Sequence, residues 1–369
     1  MKRILLLAAT AVLASACNNV SEPPEPPPTV PLCENAPTVS EDLTLCRPIT
    51  TDYRPREPEL NNAASDAWAA CISDDNTYHP IDRNISTVAR VAAFETIAEL
   101  LWRNGKVPAR NDFVSALDSF TQPEGLGSRV QRREDYHYPP APAGAGACRN
   151  AGVPETAPDR CVGPAKLLPI INDAFTKGGQ GEGNPRVHAA RLEAALLWFL
   201  YISTVSEVNT CTNTPRDCDS AWAYYTGGTE RCAPKGLAAY VQSVAPQTHE
   251  RAYDATLAVR CWRNLDNETG AATNTALRDQ ALAQLDRAEL RGMALILRER
   301  FTQLQQGSAD EQQARLAFIQ TLAPFLDRAA RLSNAAQADV LKAQAAKASA
   351  AEVDIPAATS ALSTLFSCP

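Results

Sequence analysis

From Asn184 to Gly228 the chain reads NPRVHAARLEAALLWFLYISTVSEVNTCTNTPRDCDSAWAYYTGG. Within it, AALLWFLYISTV is apolar nearly all round a helical wheel. That pattern belongs to a helix enclosed by protein on every side, not one lying half-exposed on a surface. Pro185 suits a first helical turn, where its missing N–H costs nothing, and the helix is expected to run to about Val208. A helix of this kind cannot be stable in water by itself. The remaining segments must be arranged to cover it.

Those segments read as helices too. AASDAWAACIS places Ala63, Ala67, Trp68 and Cys71 on one helical face. ISTVARVAAFETIAELLWRNG follows, with Asn84 or Ser86 as N-cap and Gly105 as the stop. NDFVSALDSF is a shorter helix capped by Asn111. Beyond the central helix, Asp219 or Ser220 is expected to cap a helix carrying Trp222, Tyr224 and Tyr225, ended by Gly227 and Gly228. Further helices are expected at about 235–244, 250–262, 274–306, 309–332 with a kink at Pro324, 335–349 and 356–366. Almost no run alternates with period two, so the fold class is all-α: a multi-helix bundle over residues 61–369. APAGAGACRNAGVPETAPDRC is a long Pro- and Gly-rich loop and the natural boundary between two packed halves, 61–140 and 165–369. NDFVSALDSFTQPEGLGSRVQRRED and KLLPIINDAFTKGGQGEGNPRVHAAR share a helix–glycine turn–arginine order across it. That order fits either a duplication or chance similarity between alanine-rich helices.

Residues 1–16, MKRILLLAATAVLASA, have the charged start, short apolar run and small-residue end of an export signal. The apolar run is too short to span a bilayer, which takes about 20 residues. Cys17 follows directly, so the segment resembles a bacterial lipobox. Lipidation at Cys17 would make the membrane a partner through a lipid anchor. Ala14 stands where such signals usually carry Leu, and an ordinary secretory cut after Ala16 is the alternative. Asn18, in place of Asp, favours the outer membrane. Residues 17–60 are rich in proline and read as an extended tether. The chain has eleven cysteines, an odd number. Lipidation of Cys17 leaves ten, which can pair fully in an oxidising compartment. The local pairs expected are Cys33–Cys46, Cys148–Cys161 and Cys211–Cys218, with the connectivity of Cys71, Cys232, Cys261 and Cys368 open. The net charge of −7, two units more negative without Lys2 and Arg3, makes nucleic acid a poor partner.

No nucleophile elbow, P-loop, dinucleotide fingerprint or HExxH is present, and none of the four histidines has a histidine, cysteine or glutamate three or four residues on. No catalytic residue is nominated. What remains are costly polar residues around the central helix. Glu193 and Glu207 lie fourteen residues apart, within roughly 40° of one helical face. His188 opens the helix and Asp219 the next. Buried carboxylates need an arginine or a metal. His188, Glu193, Glu207, Asp219 and Tyr225 are therefore the candidate ligands of iron or another transition-metal ion. The structural alternative gives Glu193 an arginine such as Arg191 or Arg291, leaves Asp219 a helix cap, and makes the protein a non-catalytic structural or interaction lipoprotein. RVQRREDYHY reads as a salt-bridged surface turn. Its alternative role is a lip supplying Asp135, His137 and Tyr138 as ligands.

The GGQGEGNPR turn, the long helix closing on an acidic residue, the cysteine loop and AWAYYTGG together resemble the low-iron-inducible periplasmic proteins of algae, the iron-assimilatory and high-CO2-inducible group. The resemblance covers about residues 178–228 and touches Arg186, His188, Glu207, Asp219, Trp222, Tyr225 and Gly227. It implies an all-helical, secreted protein associated with iron or other metal assimilation. The export signal, the tether and the C-terminal helices lie outside it. Iron-handling proteins of the imelysin type are a looser analogy, since their GxHxxE signature is absent here.

Overall fold

The computed structural model describes Cys33 and residues 49–56, 67–139 and 141–367. Among these residues twelve α-helices follow one another: α1 (Thr87–Leu101), α2 (Arg110–Thr121), the single turns α3 (Gly127–Val130) and α4 (Val153–Thr156), α5 (Leu168–Gln180), α6 (Pro185–Cys211), α7 (Arg216–Thr226), α8 (Gly236–Val244), α9 (Pro246–Leu265), α10 (Thr275–Thr302), α11 (Ala309–Ala345) and α12 (Ile355–Leu365). No strand occurs among the described residues, and the fold is an all-α bundle stapled by disulfides.

The bundle is built around α6. Asn184 caps it by accepting the Arg186 backbone N–H, with Pro185 at its first position. Every residue from Ala194 to Leu200 is fully buried. The covering is shared: α5, α7, α10 and α11 all pack against this one helix. Trp198 stacks on Phe325 of α11 at 5.8 Å, and Phe199 meets Tyr224 of α7 edge-on at 5.9 Å. None of the helices among the described residues is long and apolar enough to cross a membrane. The apolar circumference of α6 is met by protein.

A single apolar cluster runs from Val91 to Phe366, so α1 and α2 share their core with the helices after the Pro- and Gly-rich loop. Helices α2 and α5 touch closely at Gly178, where an added Cβ would stand 2.4 Å from the Phe113 ring. A second cluster gathers Trp68, Tyr78, Trp222, Tyr253 and Trp262. Residues 49–56, within the stretch read as tether, lie on this side of the bundle. Tyr53 is fully buried, and its backbone N–H and C=O are both met by the Gln284 amide, at 2.8 and 3.0 Å.

Several local expectations change. Residues 67–71 are not helical; a short 3-10 turn, Ile72–Asp75, replaces the expected helix. Helix α2 starts at Arg110, one residue before Asn111, and Asp112 closes the turn by accepting the Ala109 N–H at 2.7 Å. Helix α7 starts at Arg216, which puts Asp219 inside it. Pro324 lies inside α11, and the non-helical dihedrals at Asn334 fall between the two helices expected at 309–332 and 335–349. There the segment expected as a separate helix turns away. Cys148–Cys161 and Cys211–Cys218 form as expected, but Cys33 pairs with Cys232, not Cys46. Cys71 pairs with Cys261. Proximity in sequence misled here, because Cys33 is tied to the loop between α7 and α8. Cys17, Cys46 and Cys368 lie outside the described residues.

Trp198→Ala should cost about 3–5 kcal/mol, as large-to-small changes in a packed core do, read as a fall in the denaturant midpoint. The disulfides should rank by span. In the loop-entropy model, removing Cys71–Cys261, 190 residues apart, costs about 5 kcal/mol, and removing Cys211–Cys218, seven apart, about 2. Equal losses in the two double-alanine variants would contradict that ordering.

Candidate functional site

The five residues singled out around α6 do not meet. His188 directs Nε2 back to the Glu182 carbonyl at 2.8 Å, and its Nδ1 is buried without a partner. Glu193 accepts from Tyr240 at 3.0 Å and from Arg300 at 2.7 Å; the arginine is Arg300, not Arg191 or Arg291. Burial raises the Glu193 pKa, and Arg300 opposes that rise. Glu193 opens onto a cavity of about 230 Å³ that Arg186 and Arg315 also line. Glu207 pairs with Arg133 at 2.7 Å. Asp219 is fully buried and accepts from the Ile81 and Asp82 backbone at 3.1 and 2.7 Å and from Tyr78 at 3.0 Å. It therefore caps a loop from another part of the chain rather than its own helix. Tyr225 meets His249 at 3.1 Å. Each carboxylate is answered by an arginine or by hydrogen-bond donors, which is how a buried charge becomes tolerable. Among the described residues no three His, Cys, Asp or Glu side chains come together as a metal-holding group.

The polar turn before the loop brings different groups together. After α3 the chain runs along α6 and lays His137 against Tyr201, their rings nearly parallel at 6.2 Å. The backbone N–H and Nδ1 of His137 both reach Oδ1 of Asp135, at 2.9 and 3.0 Å. On the other edge of the ring, Nε2 stands 3.2 Å from the Tyr201 hydroxyl and 3.5 Å from Asp286. Tyr201 closes the triangle by donating to Asp286 at 2.5 Å. An imidazole nitrogen, a phenol and a carboxylate thus converge on one point, with a second carboxylate holding the far side of the ring. Burial works to lower the pKa of His137, but its bonds to Asp135 and Asp286 overcome this and hold it at about 9. Arg328 fixes the segment by donating to the His137 carbonyl at 2.9 Å. Tyr138, the third residue considered in this turn, lies beneath Lys166 and Arg328 instead.

One turn along α10 from Asp286 is Glu289. It is fully buried, and neither carboxylate oxygen has a hydrogen-bond partner. Burial raises its pKa well above the carboxylate range, and the neighbouring Asp286 adds to the rise. It also acts electrostatically on Tyr201 and Tyr225. A buried carboxyl group without partners is rare and points to a group or a proton that belongs there.

Sequence reasoning passed over Tyr201, Asp286 and Glu289. Tyr201 was hidden in an apolar run. Asp286 and Glu289 sit in a charge-rich helix that reads as solvated. The usable signal was an i, i+3 pair of acids on a helix whose second member falls among Leu285, Ala288 and Leu290.

Comparison with protein-family models, with curated proteins and with solved structures finds no match to this chain.

The Tyr225–His249 pair has its own consequence. His249 is fully buried, and its Nε2 faces the Arg231 carbonyl at 2.9 Å, so Nε2 carries the proton and Nδ1 accepts from Tyr225. Burial lowers its pKa to about 4. The folded state binds the proton less readily than the unfolded state, whose histidine titrates near 6.5. The contribution is therefore complete above about pH 6.5 and lost as pH falls towards 4, by about 3 kcal/mol in all. His249→Gln should flatten the urea-midpoint profile between pH 7 and 4.5. An unchanged slope would rule His249 out as its source.

Proposed function

We propose that the protein is a lipid-anchored cell-envelope protein that binds a transition-metal cation, iron first among them, for uptake or storage. The site proposed is the His137–Tyr201–Asp286 centre, in place of the five residues spread around α6. What carries this reading is the convergence of Nε2, phenolic oxygen and carboxylate within 3.5 Å of one another. Ligands on a first-row cation stand at comparable separations, because each bond is about 2.0–2.2 Å long. Asp135 supplies the outer carboxylate that fixes a metal-binding imidazole in orientation and tautomer. Glu289 brings two unpartnered oxygens one turn away. Imidazole, phenolate and carboxylate together suit a hard or borderline cation such as iron or manganese better than a soft one.

A cation held here would replace the proton on His137 Nε2 and the phenolic proton of Tyr201, both released to water. Asp135 keeps the proton on Nδ1 and the ring in place. The bound ion would be held as cargo for uptake or storage. The export signal, Cys17 and the disulfide-bonded body support placing the protein in the cell envelope, tied to the membrane by lipid.

The test uses the disulfide-bonded chain, stripped of metal and then exposed separately to Fe(III) as a weak chelate, Mn(II) and Zn(II). Metal content after desalting should approach about one ion per chain, with iron retained best. Tyr201→Phe, His137→Gln and Asp286→Asn should each weaken retention by about tenfold or more, and Asp135→Asn by about tenfold. Glu193→Gln, whose partners lie elsewhere, should leave it unchanged. Sub-stoichiometric metal in the wild type, or equal retention by Tyr201→Phe, would sink the assignment.

A further inference from the structure

A second cavity, of about 400 Å³, lies at the other end of the segment that carries His137. It opens at the N-terminus of α1, a helix of 15 residues whose cap position makes no side-chain hydrogen bond and whose first turn contains no acid. The first backbone N–H groups of such a helix present partial positive charge to whatever lies beyond them. Four arginines line the same space: Arg90, Arg129, Arg133 and Arg216.

Two of these are buried, Arg90 at 4% exposure and Arg133 at 6%. Arg90 reaches Glu124 at 3.0 Å, and Arg133 reaches Glu207 at 2.7 Å and Ser206 at 3.0 Å. In both, the buried Nε has no hydrogen-bond partner. Arg129 and Arg216 have no ion-pair partner among the described residues. Their crowding is felt nearby: Arg132 has its pKa lowered, first by burial and then by Arg129, Arg149, Arg133 and Arg90. Packing like charges together is costly unless an anion completes the site.

We propose that this cavity binds the phosphoryl group of a small phosphorylated molecule. Planar guanidinium groups match the oxygens of a phosphoryl group with paired, charge-assisted hydrogen bonds, and a helix N-terminus adds backbone donors. The Ser220 and Tyr224 side chains, also on the cavity wall, can add hydroxyl contacts. Glu207 is held by Arg133. Asp217, the other acid on the wall, has a pKa raised by burial, so it opposes an anion less than a solvent-exposed carboxylate would. The volume falls in the range of small-molecule sites, about 300–1,000 Å³, and leaves room beside the phosphoryl group for an organic portion. The site stands on different residues from the His137 centre and does not depend on metal binding.

The experiment is a titration of the disulfide-bonded full chain, metal-free, with glycerol phosphate and with inorganic phosphate, followed by thermal shift and calorimetry. Potassium chloride at matched ionic strength controls for screening. Glycerol phosphate should give saturable stabilisation that chloride does not reproduce. Arg129→Ala and Arg216→Ala are the informative variants, since one side chain is half-exposed, the other exposed, and neither supports the core. Each should weaken binding by about tenfold, the loss of about one charge-assisted contact, while leaving the ligand-free melting temperature unchanged. Lys347→Ala, remote from the cavity, should bind as the wild type does. Tighter binding of glycerol phosphate than of inorganic phosphate identifies a phosphomonoester as the source; equal binding identifies free phosphate, with the same arginines responsible. A shift matched by chloride, or full affinity in both arginine variants, would overturn the site.

Discussion

A helix that is apolar on every side and 27 residues long has to be enclosed, and the bundle is arranged to enclose α6. Its middle turns give Leu, Trp and Phe side chains to neighbours in all directions, so four other helices lie against it at once. Burial of this kind is the main favourable term in folding, and interdigitation of Trp198 with Phe325 and of Phe199 with Tyr224 gives it a single arrangement. The cost falls on the polar groups carried along. Glu193 and Glu207, near the two ends of the buried stretch, are each neutralised by an arginine from a distant segment. Tyr201, inside it, must send its hydroxyl to a partner and finds Asp286.

Those obligations explain where chemistry collects. The short segment from Arg133 to Tyr138 lies along α6 and answers two of its polar groups in turn: Arg133 serves Glu207, and His137 serves Tyr201. One end borders the arginine-lined cavity and the other forms the His137 centre. Disulfides do the remaining work at the periphery. Cys33–Cys232 and Cys71–Cys261 tie the region before α1 to segments 199 and 190 residues away, where apolar contacts alone are fewer. Residues 49–56 are held by the Gln284 clamp and by Arg287 on Asp52.

Much of the fold was legible because its strongest signals are local. Helix α6 announced itself by its pattern and by Pro185, and α7 ended at Gly227 in the left-handed conformation that glycine favours. Local signals also misled. Asp219 looks like a cap for the helix it sits in, yet its carboxylate closes a loop 137 residues earlier. The break expected between 332 and 335 is present: the chain turns at Asn334, whose side chain accepts from Gln337 and restarts the helix. The His137 centre was half visible. Asp135 and His137 stood out in a charged turn, but their partners Tyr201 and Asp286 belong to helices that read as pure core and pure surface. Pairings 64 and 85 residues apart leave no periodic trace. The arginine cavity was invisible for the same reason, since Arg90 and Arg216 each look like ordinary helical surface residues.

The proposed cation site rests on the convergence of His137, Tyr201 and Asp286. Crystals of the iron-loaded protein, measured on both sides of the iron absorption edge, decide this directly. The expected result is one anomalous peak within bonding distance of His137 Nε2, the Tyr201 hydroxyl oxygen and an Asp286 carboxylate oxygen. An iron peak elsewhere on the chain, or none with the His137–Tyr201–Asp286 hydrogen bonds intact, would contradict it.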